Sequence, residues 1–566
     1  MTATAKLEPV GLLAAALLGV GGFFAWAGWT FLDPQNVGWL RTGDRAMHTL
    51  GWWFYRFTPW SLPLGVNPRN GLEISSSVAL SDSLPLFAMP FKLLSPWLPT
   101  VFQYWGIWFL ACMVLQSVFG YAIARQLRLP PLTSLVFAAC MLLTPVFLWR
   151  MPVHMALAGH WTLLAALFLY VKAAPPRRYA WPLLLVVTSM VHAYLLVMVL
   201  AIWSAALVER LWRGRLSRRD AMLEVSLGLA AALATLWLVG FFMTPSLGAE
   251  GFGFYRMNLD SFLDPNNWSW VLPNLPSVAG DYEGQSFPGL GVLALLLIGL
   301  LLAYPHLRAI LSPRWLPLFV VAVAMAVFAV SDKPVLGQFE LGTIPLPAIA
   351  LDFASMFRAS GRMIWPAAYL VVALAFMLLA RRFSPRTVLL LASVAVLVQA
   401  VDTSRGWREF ETTEPPVASA WPTPIKSPFW RFAAAHYTKI RAIPVRGLNK
   451  NWAVLSYFAA FHHMASDAAY LGRRDAAGFA RLQDLADAAL DRGALAPDTL
   501  YVLDPASALR IRPYVAADDL LVVVDGFIVF ARHGKALAVA DGVALPPHFP
   551  PAGFPTTLVT LVDARG

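Results

Sequence analysis

Cysteine and charge are the two things this chain has least of. Only two of its 566 residues are cysteine, Cys112 and Cys140, and both sit inside apolar runs. That excludes a disulfide framework and a cysteine-based metal site. Charged residues make up 13% of the chain, hydrophobic residues 58%, and the mean hydropathy is +0.61. A soluble enzyme of this length is not that apolar. The net charge is +11, which could suggest nucleic acid. The excess, however, is +9 over residues 1–402 and only +2 over residues 403–566. It belongs to the apolar part, where the positive-inside rule accounts for it and no nucleic-acid partner is needed.

What is present is a series of apolar runs. A helix needs about 20 such residues to cross the hydrocarbon. Candidate spans lie near 9–32, 101–124, 130–149, 157–173, 221–244, 288–304, 316–331, 364–380 and 386–402. The first is longer than a signal-peptide apolar region and has no convincing cleavage site, so it reads as a retained helix. Basic clusters at Arg125/Arg128, Lys172/Arg177/Arg178, Arg210 to Arg219, Arg308/Arg314 and Arg381/Arg382/Arg386 place five short connections in the cytoplasm. Both ends of the run 180–208 then face the cytoplasm. It must therefore be two short helices, or a re-entrant hairpin, meeting near "VHAY". The count comes to about 11 spans with a cytoplasmic N-terminus.

The expected fold is thus an α-helical polytopic membrane protein with a small C-terminal α/β soluble domain. Residues 1–402 form the membrane domain, with outer loops 33–100, 245–287 and 332–363; residues 403–428 are a Pro/Ser/Thr linker; residues 429–566 form an extracytoplasmic domain. In that domain "RDAAGFARLQDLADAALDRG" has helical spacing and a glycine stop. "TLYVLDP", "DLLVVVDG" and "FIVFARHG" read as strands, the last two joined by a tight "DG" turn. No catalytic signature is visible there.

Ionisable groups near a bilayer are costly, so function is sought where they gather. "GDRAMHTLGWWFYR" puts Asp44 and His48 four apart, on one face if helical, ahead of an aromatic face suited to the membrane interface. Asp82 stands among hydroxyls in "SSSVALSDSLPL". The plainer role for both acids is to cap helices or hold turns. His48, His154, His160 and His192 fall near the outer ends of spans, where interfacial hydrogen bonding is the ordinary use. The spacing of His154 and His160 matches no ligand motif, so a divalent metal is conceivable but not favoured, and no cofactor is expected.

Loop 245–287 offers Tyr255, Trp268, Trp270 and Tyr282 beside Asp, Asn and Glu, a mixture suited to carbohydrate. Glu283 is its candidate hydroxyl-binding or catalytic carboxylate. An aromatic belt explains the tryptophans equally well. In "FRASGRMIWP", Arg358 and Arg362 lie outside the cytoplasm against the start of a span, where orientation does not require them. Two guanidiniums aimed the same way would seat a lipid-linked phosphate; the simpler use is a snorkelling anchor.

The order of these features resembles the GT-C class of integral membrane glycosyltransferases. "GDRAMHTLGWWFYRFTPWSLPLG", "SDSLPL", "HMALAGHW", "YEGQSFPGLG" and "FRASGR" also resemble a family of bacterial polytopic proteins allied to it. The resemblance covers most of residues 1–402. It implies transfer of a sugar from a polyprenyl-phosphate donor to an extracytoplasmic glycan or glycolipid acceptor, in the bacterial inner membrane, with the C-terminal domain periplasmic. An acid of the first outer loop then serves as general base, and Asp44 is the matching position. The chain departs from metal-dependent members in lacking a clear paired-acid motif in that loop, so a metal-independent reaction is expected. Arg358 and Arg362 would bind the donor phosphate. His48, Asp82, His160, His192, Tyr255, Tyr282 and Glu283 would contact substrate. The competing class is a transporter or flippase of a glycolipid or polysaccharide intermediate, although no internal repeat is evident. An assembly factor and an acyltransferase using a membrane histidine are further alternatives.

Overall fold

The computed structural model describes residues 8–75, 77–172, 177–243, 251–304, 312–413, 417–445, 451–471 and 476–549. The chain divides into two compact units. One comprises Met1–Asn36, Phe102–Leu236 and Leu247–Val417; the other comprises Val37–Val101, Trp237–Ser246 and Ala418–Gly566.

Apolar helices build the first unit. Among the described residues seven are long and apolar enough to cross a membrane: Pro9–Trp26, Trp105–Gln126, Ala193–Trp212, Arg218–Leu238, Pro313–Val330, Ser360–Arg382 and Pro385–Arg408. An eighth is added if Pro131–Leu142 and Pro145–Val153, bent by 44° at their junction, form one span. The chain is thus a helical membrane protein, and among the described residues the expected count of about 11 is not confirmed. Met155–Val171, Ala180–Ser189 and Leu290–Leu302 are apolar yet shorter than the roughly 20 residues a crossing requires.

The bend has a local cause. Pro145 brings no N–H to the helix and forces Thr144 toward extended backbone, φ −67° and ψ 121°. The run 180–208 does break at "VHAY": one helix ends at Ser189, and His192 caps the next by accepting the Tyr194 N–H on Nδ1 at 3.1 Å. Small residues let these helices approach. A Cβ on Gly19 would stand 2.6 Å from the Val114 Cα, the close backbone packing that membrane helices favour.

The second unit holds a five-stranded sheet in the order Ala465–Ser466, Lys439–Ile443, Thr499–Leu503, Phe527–Ala531, Leu520–Val524. The first three strands are parallel and the last two add antiparallel. Asp525 and Gly526, at φ +50° and +85°, make the tight hairpin turn that "DG" signals. Helix Ala476–Arg492 ends at Gly493, whose φ of +63° suits a C-terminal stop. Ile443, Leu490, Leu503, Ile511, Leu521 and Phe530 form the core between sheet and helices.

Residues 37–101 group with this sheet domain by contacts. Gly71 N–H donates to the Ser466 carbonyl at 2.7 Å and Ser466 N–H to the Arg69 carbonyl at 2.9 Å, which covers the short edge strand. Helix Gly43–Phe57 forms as the spacing predicts, but its aromatic face does not lie open for the membrane interface. Trp52, Trp53, Phe54 and Tyr55 are buried. Trp53 packs against Trp421, Tyr457 and Phe461 at centroid distances of 5.2, 5.7 and 4.9 Å. Ring contacts of this kind bury area and add edge-to-face attraction, so the C-terminal region takes the place assigned to lipid.

Candidate functional site

Two tight turns and the second half of the bent helix converge in the first unit. Glu283 stands on the turn Asp281–Gly284, Arg362 on the turn Ser360–Ile364, and Arg150 on helix Pro145–Val153. Glycines let the turns meet. A Cβ on Gly361 would lie 2.7 Å from the Gly284 Cα, and one on Gly284 would lie 2.3 Å from the Met257 Cα.

At that contact Arg362 grips the Glu283 carboxylate with two parallel bonds, Nε to Oε2 at 2.8 Å and Nη2 to Oε1 at 2.9 Å. Arg150 approaches from the other side, Nη1 to Oε2 at 2.8 Å, and its Nη2 donates to the Glu283 carbonyl at 3.1 Å. All three are withdrawn from water, at 0% exposure for Arg150, 8% for Glu283 and 9% for Arg362. Burial alone would push the Glu283 carboxyl up. The guanidiniums of Arg150 and Arg362 outweigh it and hold the group far below the usual carboxylate range. Glu283 is therefore a fixed anion that orients two cations and cannot serve as a general base near neutral pH.

Aromatic rings wall the cluster. The Arg150 guanidinium lies 4.1 Å from the Trp149 ring centroid and 5.1 Å from that of Trp365, and Arg362 lies 4.9 Å from Tyr194. The Tyr194 hydroxyl accepts the Ala359 N–H at 2.8 Å. His192 packs between His154 and Tyr194 at 5.3 and 5.6 Å. Tyr282 links Trp149 to Tyr255 at 5.9 and 6.1 Å. One carboxylate thus orients two guanidiniums in a site walled by aromatic rings, and such planar forks suit the oxygens of a phosphate ester.

The structure thus gathers Arg362, Glu283, His192, Tyr255 and Tyr282 from the sequence-derived candidates. Arg358 is nearby but differently used, and the four-residue spacing does not align it with Arg362. Helix Ala348–Ser355 ends before it, so Arg358 sits in a bend. It is exposed, 4.6 Å over the Tyr255 ring, with Nη2 donating to the Tyr255 hydroxyl at 2.7 Å. His160 faces inward: its Nδ1 is 2.7 Å from the Tyr369 hydroxyl, which also accepts from Gln116 at 2.9 Å, and its ring packs on Trp365. That network knits helices together and leaves His160 no outward face for substrate.

Asp44, His48 and Asp82 fall in the other unit. Asp44 and His48 share one face of helix Gly43–Phe57, Asp44 half-buried and His48 buried. The side-chain ligand atoms of His48 and Asp82 lie within 4.8 Å of each other. Asp82 has a φ of +50°, unusual for a residue with a side chain. The turn is pinned by Ser83, whose hydroxyl donates to the His48 carbonyl at 2.7 Å and lies 2.9 Å from that of Ser81. Strain of this kind gathers at functional sites. Asp518, Asp519 and His533 also stand close enough to share a cation, but Asp519 already holds Arg532 at 2.8 Å.

Sequence reasoning missed Arg150. The signal that singled out Arg358 and Arg362, an arginine at the outer end of a span, was present there too. No curated protein and no solved structure matches the chain. Residues 429–532 match the family described as DUF6311 C-terminal domain, and residues 16–404 match the one described as Domain of unknown function (DUF6311). That second match covers well over half of the sequence, and the chain belongs to the DUF6311 family.

Proposed function

We propose that this protein is a membrane glycosyltransferase that moves a sugar from a polyprenyl-phosphate donor to an extracytoplasmic glycan or lipid acceptor without a metal. The observation that carries the reading is the buried Arg150–Glu283–Arg362 cluster, in which one carboxylate fixes the orientation of two guanidiniums. Guanidiniums held in a fixed orientation are suited to pair with the oxygens of the donor phosphate. The acceptor oxygen attacks the anomeric carbon as a base removes its proton. The bond to the phosphate oxygen breaks, and the charge that grows there is met by guanidiniums already in place. The resemblance assigns the base to Asp44. The aromatic faces of Tyr255 and Tyr282 line the approach, with Arg358 at the exposed edge.

The test is transfer from radiolabelled polyprenyl-phosphate sugars by the purified protein in nanodiscs. Arg362→Lys keeps the charge and loses the two-bond grip, so kcat should fall by about 100-fold, the usual loss for one preorganised donor. Asp44→Asn should abolish transfer. A preparation that consumes no donor of any sugar class would overturn the reading. A flippase is favoured by one feature, the bent and interrupted helices around an ionic cluster. Movement of labelled lipid across the bilayer with the donor intact would select it.

A further inference from the structure

The span Pro313–Val330 carries an exposed apolar stripe, Phe319, Val323 and Val327, which recur at helical spacing and face lipid. The stripe does not stop where the helix does. Past Ser331 the same unit goes on exposing Leu336, Phe339, Leu341, Ile344, Ile349 and Phe353. Ile349 is 82% exposed, Phe339 67% and Phe353 57%. Large apolar side chains left open in this number mark an interaction surface. From Pro334 to Phe357 the charged residues are Glu340 and Asp352 alone, and Glu340 already pairs with Arg256 at 3.0 Å.

Two ties hold this arm at the end of the span. The Ile344 N–H donates to the Asp332 carbonyl at 2.7 Å. The Phe357 ring packs edge-on against Phe328, in the last turn of the span, at 5.6 Å. Between the ties runs helix Ala348–Ser355, about 12 Å long, with Ile349 and Phe353 one turn apart on one face. Both ends of the segment therefore stand at the height where the span leaves the hydrocarbon. The hairpin before it is fastened to its own unit as well, the Val335 carbonyl accepting the Leu259 N–H at 3.0 Å and the Gly337 N–H donating to Asn258 Oδ1 at 3.0 Å.

Depth follows from the backbone. Residues 341–347 are not helical, and hydrocarbon admits such backbone only under cover of protein or water. Pro345 and Pro347 ease the demand by bringing no N–H. The layer that suits both the apolar side chains and the irregular backbone is the boundary between headgroups and acyl chains. A protein partner would have to displace lipid from a surface continuous with the lipid-facing stripe.

We infer that residues 334–357 form an interfacial arm whose partner is phospholipid, seated in the headgroup–acyl boundary of the leaflet where the span Pro313–Val330 ends at Val330. The arm sets the next residue, the exposed Arg358, at headgroup height, where guanidiniums meet lipid phosphate oxygens. The inference goes beyond the proposed transfer and holds equally for a flippase.

The experiment is nitroxide labelling of the full-length protein in phosphatidylcholine–phosphatidylglycerol nanodiscs, one introduced cysteine at a time. Cys112 and Cys140 are buried and stay unlabelled. Phe339→Cys and Ile349→Cys are compared with Val323→Cys, on the lipid stripe, and Lys535→Cys, on the exposed surface of the sheet domain. Collision with oxygen, which dissolves in acyl chains, is measured against collision with a water-soluble nickel chelate. At both arm positions the oxygen-to-nickel ratio should lie between the two controls, shifted clearly above Lys535. Each variant should melt with the wild type, since these side chains stand clear of the packed core. A ratio equal to that of Lys535 puts the arm in water and overturns the inference. Low collision with both reagents means that protein covers the arm, and overturns it in favour of a partner or a second copy.

Discussion

Glu283→Gln keeps the shape of the side chain and removes the negative charge that both buried guanidiniums hold. Each guanidinium stands with a nitrogen 2.8 Å from Glu283 Oε2. With charge centres about 4 Å apart and an effective dielectric near 20, each pair is worth about 4 kcal/mol of Coulomb attraction. Desolvation of the ions cancels much of this, and losing one partner of a buried pair costs about 3–5 kcal/mol in practice. Against a total stability of about 5–15 kcal/mol, that is a large share. The variant, melted in nanodiscs, should lose roughly 5–10 °C. Because the carboxyl is held far below its ordinary value, its contribution is present above the unfolded-state value and is lost only as pH falls through the depressed one. The deficit should therefore be flat from about pH 5 to 9. Anion binding should move the opposite way, since the substitution removes a negative charge from the cluster: added pyrophosphate should raise the melting temperature of Glu283→Gln more than that of the wild type. Removing the second charge as well, in Glu283→Gln with Arg362→Gln, should recover part of the loss, because coupled sites are not additive. A single variant that melts with the wild type, or a double variant worse than the sum of its parts, would refute the idea that Glu283 holds the two guanidiniums together.

Gly361→Ala should cost about 1–3 kcal/mol by overpacking and lower transfer as well, because the new Cβ would meet the Gly284 Cα at 2.7 Å and prise Arg362 from Glu283; thermal melting and activity are both read, and an unaltered protein contradicts the packing. Tyr369→Phe strips the hydroxyl shared by His160 and Gln116. It should cost about 1–3 kcal/mol and leave donor KM unchanged, whereas a changed KM would return His160 to the substrate site. In the second unit, burial raises the Asp467 carboxyl to about 7 although the Ala442 N–H, at 2.9 Å, and Arg441, at 3.5 Å, both favour its ionised form. A raised acid favours the protonated fold, so its stabilisation is full below the ordinary value near 3.9 and is lost as pH rises to about 7. Resistance of the sheet to proteolysis should decline by a few kcal/mol equivalent between about pH 4 and 7 and level off above that, and Asp467→Asn should flatten the profile. An unchanged slope in that variant would assign the effect elsewhere.

What could be read from the sequence was local. The break at "VHAY", the hairpin at "DG" and the glycine stop at Gly493 each depend on a few adjacent residues, and each is where the pattern put it. Misreadings arose where the answer lies with a distant partner. An amphipathic helix announces that one face must be covered, not by what, and the cover for Trp53 lies at Trp421, Tyr457 and Phe461. The spacing of Arg358 and Arg362 carries meaning only inside a helix, and that helix stops at Ser355. His160 looked outward because its partner Tyr369 is 209 residues away. Arg150 went unnoticed because its carboxylate is 133 residues away. The site shows the same limit most sharply. Its geometry hangs on Gly284 and Gly361, whose missing side chains let two turns touch. A sequence marks such a glycine but not the backbone it must admit. A buried charge cluster is therefore legible as residue types and illegible as a cluster, since nothing local distinguishes an arginine held by a carboxylate from one that reaches for lipid.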